Sequence, residues 1–222
     1  APMTKLSGFQ PNVEAIAGYH PDVVVISNDI GGLVKSLEKL SVRTLLEPAA
    51  ATLHGTYAQI EQLGAATGHV AEAARLVASM RSDIAQIVAA APKFASAPTY
   101  YHELDQTYYT ATSDTFIGQL YGLLGLRNIA DAAKGAGGYP QLSTEYIIKA
   151  DPDAIFLADT KCCAQSAATV AKRPGWDQIA AVKDGAVFPL DDDVVSRWGP
   201  RVVDFLRAVS QDLQVLQQRV SS

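Results

Sequence analysis

Apolar residues recur at spacings of three and four between residues 69 and 91: Val70, Ala73, Val77, Met80, Ile84 and Ile87. That period predicts one amphipathic helix, roughly 34 Å long at 1.5 Å per residue. Glu72, Arg75, Arg81 and Asp83 fall within it, so it does not read as a membrane span. Pro92 and Pro98 end the pattern. Before it, Val23–Ser27 and Arg43–Glu47 read as strands, and Gly31–Leu40 and Tyr57–Leu63 as helices. After it, Thr99–Leu104, Ala154–Ala158 and Ala186–Leu190 read as strands. Thr115–Leu124 reads as a helix stopped by Gly125. A first-turn proline, Pro200, opens a closing amphipathic helix with Val202, Val203, Leu206, Val209 and Leu213. Strands alternating with helices imply largely parallel sheets.

One phrase occurs twice. Asn12, then Glu14-Ala15-Ile16, then Pro21-Asp22 and the apolar run Val23–Ile26 form the first copy. Ser143, Glu145-Tyr146-Ile147, Pro152-Asp153 and Ala154–Leu157 form the second. Each reads as a side-chain-capped short helix, a Pro-Asp turn and a buried strand. The repeat predicts two similar α/β lobes. The expected division is a lobe over 1–68, a bridging helix over 69–91 and a larger lobe over 92–222. The inequality suggests that the first lobe is N-terminally truncated, its sheet left with an open edge.

Composition narrows the function. At 222 residues, 48% hydrophobic and 18% charged, the chain can bury a real core. A net charge of −5 without a basic block argues against a nucleic-acid partner. No signal peptide is recognisable at Ala1; the opening residues suggest a mature fragment. The histidines are dispersed, and no zinc motif, phosphate loop or nucleophile–base set is apparent, so neither a metal, a cofactor nor catalysis is expected. Cys162 and Cys163 are adjacent, about 3.8 Å between Cα atoms across a trans peptide. A strained vicinal disulfide, two free thiols and thiolate ligation of a metal all remain open.

A series of short motifs carries a resemblance to a known family. They are Phe9-Gln10-Pro11-Asn12-Val13-Glu14, Thr110-Ala111 through Phe116-Ile117-Gly118, and Leu124-Gly125-Leu126-Arg127-Asn128-Ile129. Pro140-Gln141-Leu142-Ser143-Thr144-Glu145, Pro174-Gly175-Trp176, Ala181–Val187 and Arg197-Trp198-Gly199-Pro200-Arg201 follow. In this order the chain resembles the helical-backbone (class III) solute-binding proteins of ABC importers, the vitamin B12-binding and ferric-siderophore-binding type. The resemblance implies two Rossmann-like α/β lobes joined by a single long helix, with the ligand held between them. It also implies an extracytoplasmic location, with the membrane reached only through the importer or a lipid anchor outside this chain.

The same resemblance assigns roles to particular residues. Glu14 and Glu145, one per lobe, match the positions that dock on arginines of the importer's membrane subunits. Without it, they read as acids favoured by a helix dipole. Phe9 and Tyr139, each just ahead of a proline, match aromatic positions that lie against a corrin in B12-binding relatives; the plain alternative is loop packing. Asp193 and Arg197 match a polar pair beside the ligand's edge, or else form a local ion pair. The run Asp191–Asp193 needs a cation, and Arg197, Arg201 or a ligand amide could answer it. Tyr100, Tyr101, Tyr108 and Tyr109 read as strand pairs, one of each facing the core. The expected ligand is cobalamin or a related corrinoid. A ferric siderophore or haem is the alternative, and a metal-dependent α/β enzyme using Asp191–Asp193 a remote one.

Overall fold

The computed structural model describes residues 6–133, 136–195 and 199–220. The chain gathers into two compact units, Ala1–Ala74 and Arg75–Ser222.

The first unit runs α1 (Val13–Gly18), β1 (Val24–Ile26), α2 (Leu33–Glu38), β2 (Thr44–Leu46) and α3 (Leu53–Thr67), and enters α4 (Val70–Ala90). β1 and β2 pair in parallel, Val24 opposite Thr44 and Ile26 opposite Leu46. Its small core includes Leu33, Leu37, Ala50 and Tyr57. The strand after the first Pro-Asp is not buried as its sequence suggests, since Val25 is 47% exposed. Among the described residues β1 pairs only with β2, and a two-stranded ribbon offers little to cover both faces. Gly68, at φ 78, caps α3 in the left-handed region, and its neighbour His69 donates its N–H to the Gly64 carbonyl at 2.7 Å. A Cβ on Gly64 would sit 2.4 Å from that of Ala73, so the glycine permits the tight turn from α3 into α4.

The boundary between the units falls inside α4, a continuous 21-residue helix. At 1.5 Å per residue it spans about 31 Å. Among the described residues, no helix is long and apolar enough to cross a membrane.

The second unit continues with β3 (Thr99–Glu103), α5 (Phe116–Leu123), β4 (Arg127–Asn128), α6 (Thr144–Ala150) and β5 (Ala154–Leu157). Three single-turn helices follow: α7 (Thr160–Cys163), α8 (Ala167–Val170) and α9 (Ala180–Lys183). β6 (Val187–Pro189), α10 (Asp192–Val195) and α11 (Val202–Val220) complete it. Its sheet is entirely parallel, in the order β4-β3-β5-β6. Tyr100 and Tyr101 are both buried, where one of them was expected to face out. The reason is that β3 lies inside the sheet with both faces covered. Tyr100 and His102 face Tyr121 of α5, at ring-centroid distances of 4.2 and 5.5 Å. Tyr101 points the other way, toward Trp176. Tyr108 and Tyr109 lie in the loop after β3 rather than on a strand of the sheet.

The sequence repeat is also a structural one. The Asn12 and Ser143 side chains accept from Ala15 N–H at 2.8 Å and Tyr146 N–H at 3.2 Å, capping α1 and α6. After each helix a non-glycine residue turns left-handed just before the proline: His20 at φ 50 and Asp151 at φ 45. Proline disfavours the right-handed helical region in its predecessor, which helps to stop the helix there. The aspartate that follows meets the neighbouring strand. Asp22 offers its carbonyl to Arg43, and the Asp153 carboxylate accepts from Thr99 N–H and hydroxyl at 2.7 and 2.8 Å.

Candidate functional site

In a parallel sheet, ligands are met at the carboxyl ends of the strands. A helix leading straight into a strand runs back across the sheet, so its N-terminus lies at that same edge. Tyr146 in the first turns of α6 confirms the direction, donating its hydroxyl to the carbonyl of Ile129, just past the end of β4 (2.6 Å). Glu145 therefore stands at the carboxyl edge of its sheet. In the first unit, a groove lined by Pro11 and Ile16 together with Ile26 and Ser27 gives α1 and Glu14 the corresponding placement. Both glutamates are exposed. The Glu145 carboxyl is held below its usual range by its own backbone N–H and then by the Ser143 hydroxyl.

The aromatic candidates differ in support. Phe9 is 90% exposed, on a segment whose Phe9 and Gln10 N–H groups bond the Ser7 hydroxyl at 3.2 and 3.0 Å. Tyr139 is 44% exposed on a firmer footing. Its neighbours Gly138 and Pro140 accept from Thr112 N–H (2.8 Å) and Thr110 N–H (3.0 Å), and Gln141 bridges to Tyr109. Gly138 has φ 82, and a Cβ there would meet Thr115 at 2.8 Å.

The acidic run finds its cation in Lys161, which sequence reasoning passed over. The Lys161 ammonium pairs with Asp191 at 2.6 Å and Asp193 at 2.9 Å. Asp192 turns inward instead. Its carboxylate accepts from the Thr160, Lys161 and Cys162 N–H groups at 3.0, 2.8 and 3.0 Å, and from the Thr160 hydroxyl at 2.7 Å. Burial works against the Asp192 charge, but these donors hold the carboxyl below its ordinary range. Arg197, expected to partner Asp193, lies outside the described residues. Cys162 and Cys163 are joined as a vicinal disulfide in the short α7 turn, followed by Ala164 at φ 52. Among the described residues, no group of three or more His, Cys, Asp or Glu side chains could hold a metal ion.

A second, buried polar group lies at the same edge. Arg173 clasps the Glu103 carboxylate with two bonds of 2.6 Å, and Glu103 is fully buried. The guanidinium also lies over the rings of Trp176 (4.4 Å) and Tyr108 (5.4 Å). Asp159, equally buried, has no hydrogen-bond partner in good geometry at either carboxyl oxygen among the described residues; burial and the nearby Glu103 charge raise it to about 7. A sequence signal existed for this group. Glu103 ends, and Asp159 follows, a strand run otherwise free of carboxylates, a position that asks for a partner.

Comparison with known proteins places this geometry. A family model for periplasmic binding proteins matches residues 3–194. An uncharacterized ABC transporter substrate-binding lipoprotein of Bacillus subtilis is 30% identical over 94% of this chain and 67% of its own length. A cobalamin-binding protein of Halobacterium salinarum is 33% identical over 90% of this chain and 56% of its own. The chain thus spans between about half and two thirds of these relatives' length. A solved structure of a possible iron-binding periplasmic solute-binding protein from Staphylococcus epidermidis superposes with a TM-score of 0.80 at 27% identity, covering 94% of this chain and 82% of that one. The match through both sequence phrases and both sheets leaves one conclusion: the chain belongs to the periplasmic binding protein family.

Proposed function

We propose that the chain is the ligand-holding part of an extracytoplasmic substrate-binding protein of an ABC importer, and that its ligand is cobalamin or a related corrinoid. It acts by binding, without catalysis. The observation that carries the reading is the 33% identity to a cobalamin-binding protein across 90% of the chain. The exposed rings of Phe9 and Tyr139 suit a large flat ligand whose faces need apolar cover. Asp193 and Arg197 are the proposed contacts for its amide-bearing rim. Glu14 and Glu145, each exposed at the head of a capped helix, are the proposed contacts with arginines of the importer's membrane subunits.

A ferric siderophore or haem is the second reading. It is favoured by a 24% identical Fe(3+)-citrate-binding protein of Bacillus subtilis, covering 85% of this chain and 59% of its own length. Cobalamin, haem and ferric siderophores all absorb visible light, so a spectral titration of the intact protein with each separates the readings. A saturable shift with cobalamin alone supports the first. Tight binding of a ferric chelate with no response to cobalamin moves the assignment to the second.

A further inference from the structure

The buried acids at the ends of β3 and β5 present a charge imbalance. β3 and β5 are hydrogen-bonded neighbours, with Glu103 in register with Leu157, so Glu103 and Asp159 emerge side by side at the carboxyl edge. Both are 0% exposed. One guanidinium serves the two of them, and Arg173 spends its bidentate clasp on Glu103 and its remaining contact on Gln165 at 2.8 Å. Among the described residues no donor meets either Asp159 oxygen in hydrogen-bonding geometry, and the backbone N–H of Asp159 itself favours the charged form only weakly against burial and the Glu103 charge. A buried carboxylate without a donor is costly enough that the group takes up a proton instead. Once protonated, Asp159 becomes a donor, and the acceptor beside it is the Glu103 carboxylate.

We infer that Asp159 and Glu103 share one proton, forming a carboxyl–carboxylate site at the root of the loop that carries Cys162 and Cys163. The ligand of this site is the proton itself. Among the described residues Arg173 is the cation that acts on Asp159, and its hydrogen bonds go elsewhere. From β3 and the turn after it come Tyr101, whose buried hydroxyl has no hydrogen-bond partner among the described residues, and Asp105, another acid that acts on Tyr101. From the end of α8 comes Arg173, already committed to Glu103. On Asp159's own loop the cation is Lys161, turned to Asp191 and Asp193. The Asp159 carbonyl accepts from Cys163 N–H (3.2 Å) and Gln165 N–H (3.4 Å). Loss of the proton therefore sets two carboxylates against one guanidinium at the point where this loop is anchored.

The sign of the effect follows from linkage. A carboxyl held near 7 in the folded protein and about 3.9 in the unfolded chain keeps its proton only when folded across that interval. Its stabilisation is complete below the unfolded value and is lost as pH rises through the folded one. Asp159→Asn retains a donor toward Glu103 and cannot titrate. Denaturant unfolding from pH 4 to pH 8.5 should therefore show wild type losing stability relative to Asp159→Asn, up to tenfold in the folding equilibrium per pH unit, and then levelling. His102, lowered to about 4 by burial, and Asp212 on α11, raised to about 7 by burial, titrate alike in both proteins and cancel. Parallel profiles for the two proteins would overturn the inference. Should Asp159→Asn fail to fold, infrared spectroscopy of 13C-aspartate-labelled Asp212→Asn protein gives the second readout. A protonated aspartyl carbonyl band at pH 6 that fades above pH 8 supports the shared proton, and its absence at pH 6 overturns it.

Discussion

His102 shows what burial does to a single titratable residue. It is 0% exposed, its Nδ1 lies 2.9 Å from the Tyr121 hydroxyl, and its Nε2 has no partner among the described residues. Burial pushes it down to about 4. The unfolded chain takes up a proton near 6.5 and the folded one does not, so this residue costs stability as pH falls from about 6.5 toward 4. The full window is worth up to about 3 kcal/mol. His102→Gln, which keeps a partner for Tyr121 without titrating, should flatten the acid side of the urea-unfolding profile; an unchanged acid loss would contradict this. Arg173 poses the opposite problem, a part-buried cation whose fully buried partner must not be left alone. Arg173→Met leaves the Glu103 carboxylate without its cation and should cost about 3–5 kcal/mol of unfolding free energy near neutral pH. A loss below 1 kcal/mol would show that solvent reaches Glu103.

At the scale of elements, the pattern of apolar spacing was a dependable guide wherever a helix or strand had one face to bury. The long helix reads as 69–91 from its spacing and is observed as Val70–Ala90. The strands at Thr99, Ala154 and Ala186 lie within a residue of their expected starts. Adjacent tyrosines misled because alternation describes a strand with one wet face, and β3 has none. The helix α3 begins at Leu53, four residues before its apolar pattern suggests. The Thr52 hydroxyl caps it by accepting from Gly55 N–H at 3.1 Å, a signal that was present in the sequence. Gly64 lies just past the helix end expected from sequence; the structure shows it as a close approach within a continuous helix. Gly64→Val should therefore overpack against Ala73 and cost about 1–3 kcal/mol, read from the urea midpoint. A neutral result would mean that α3 can shift freely.

For the whole molecule, the repeated phrase was the most productive reading, because it carries the capped helix, the left-handed turn and the parallel strand together. It and the family resemblance singled out Glu14, Glu145 and Tyr139. The pairing of Lys161 with Asp191 and Asp193, and of Arg173 with Glu103, could not be read there, because each joins residues 30 to 70 positions apart through the sheet order. The double variant Glu14→Ala, Glu145→Ala should reduce stimulation of the importer's ATPase while leaving ligand affinity within about twofold, since surface charges away from a ligand act on it weakly. Lost ligand affinity in that variant would instead place these residues in the ligand site.

The most direct test of the central claim is an equilibrium titration of the intact protein with cobalamin, wild type beside Tyr139→Ala. The account predicts saturable binding at one site, weakened in the variant by about 1–3 kcal/mol, the scale of burying one large side chain. No binding of cobalamin by the wild-type protein, with tight binding of a ferric chelate under the same conditions, would contradict it.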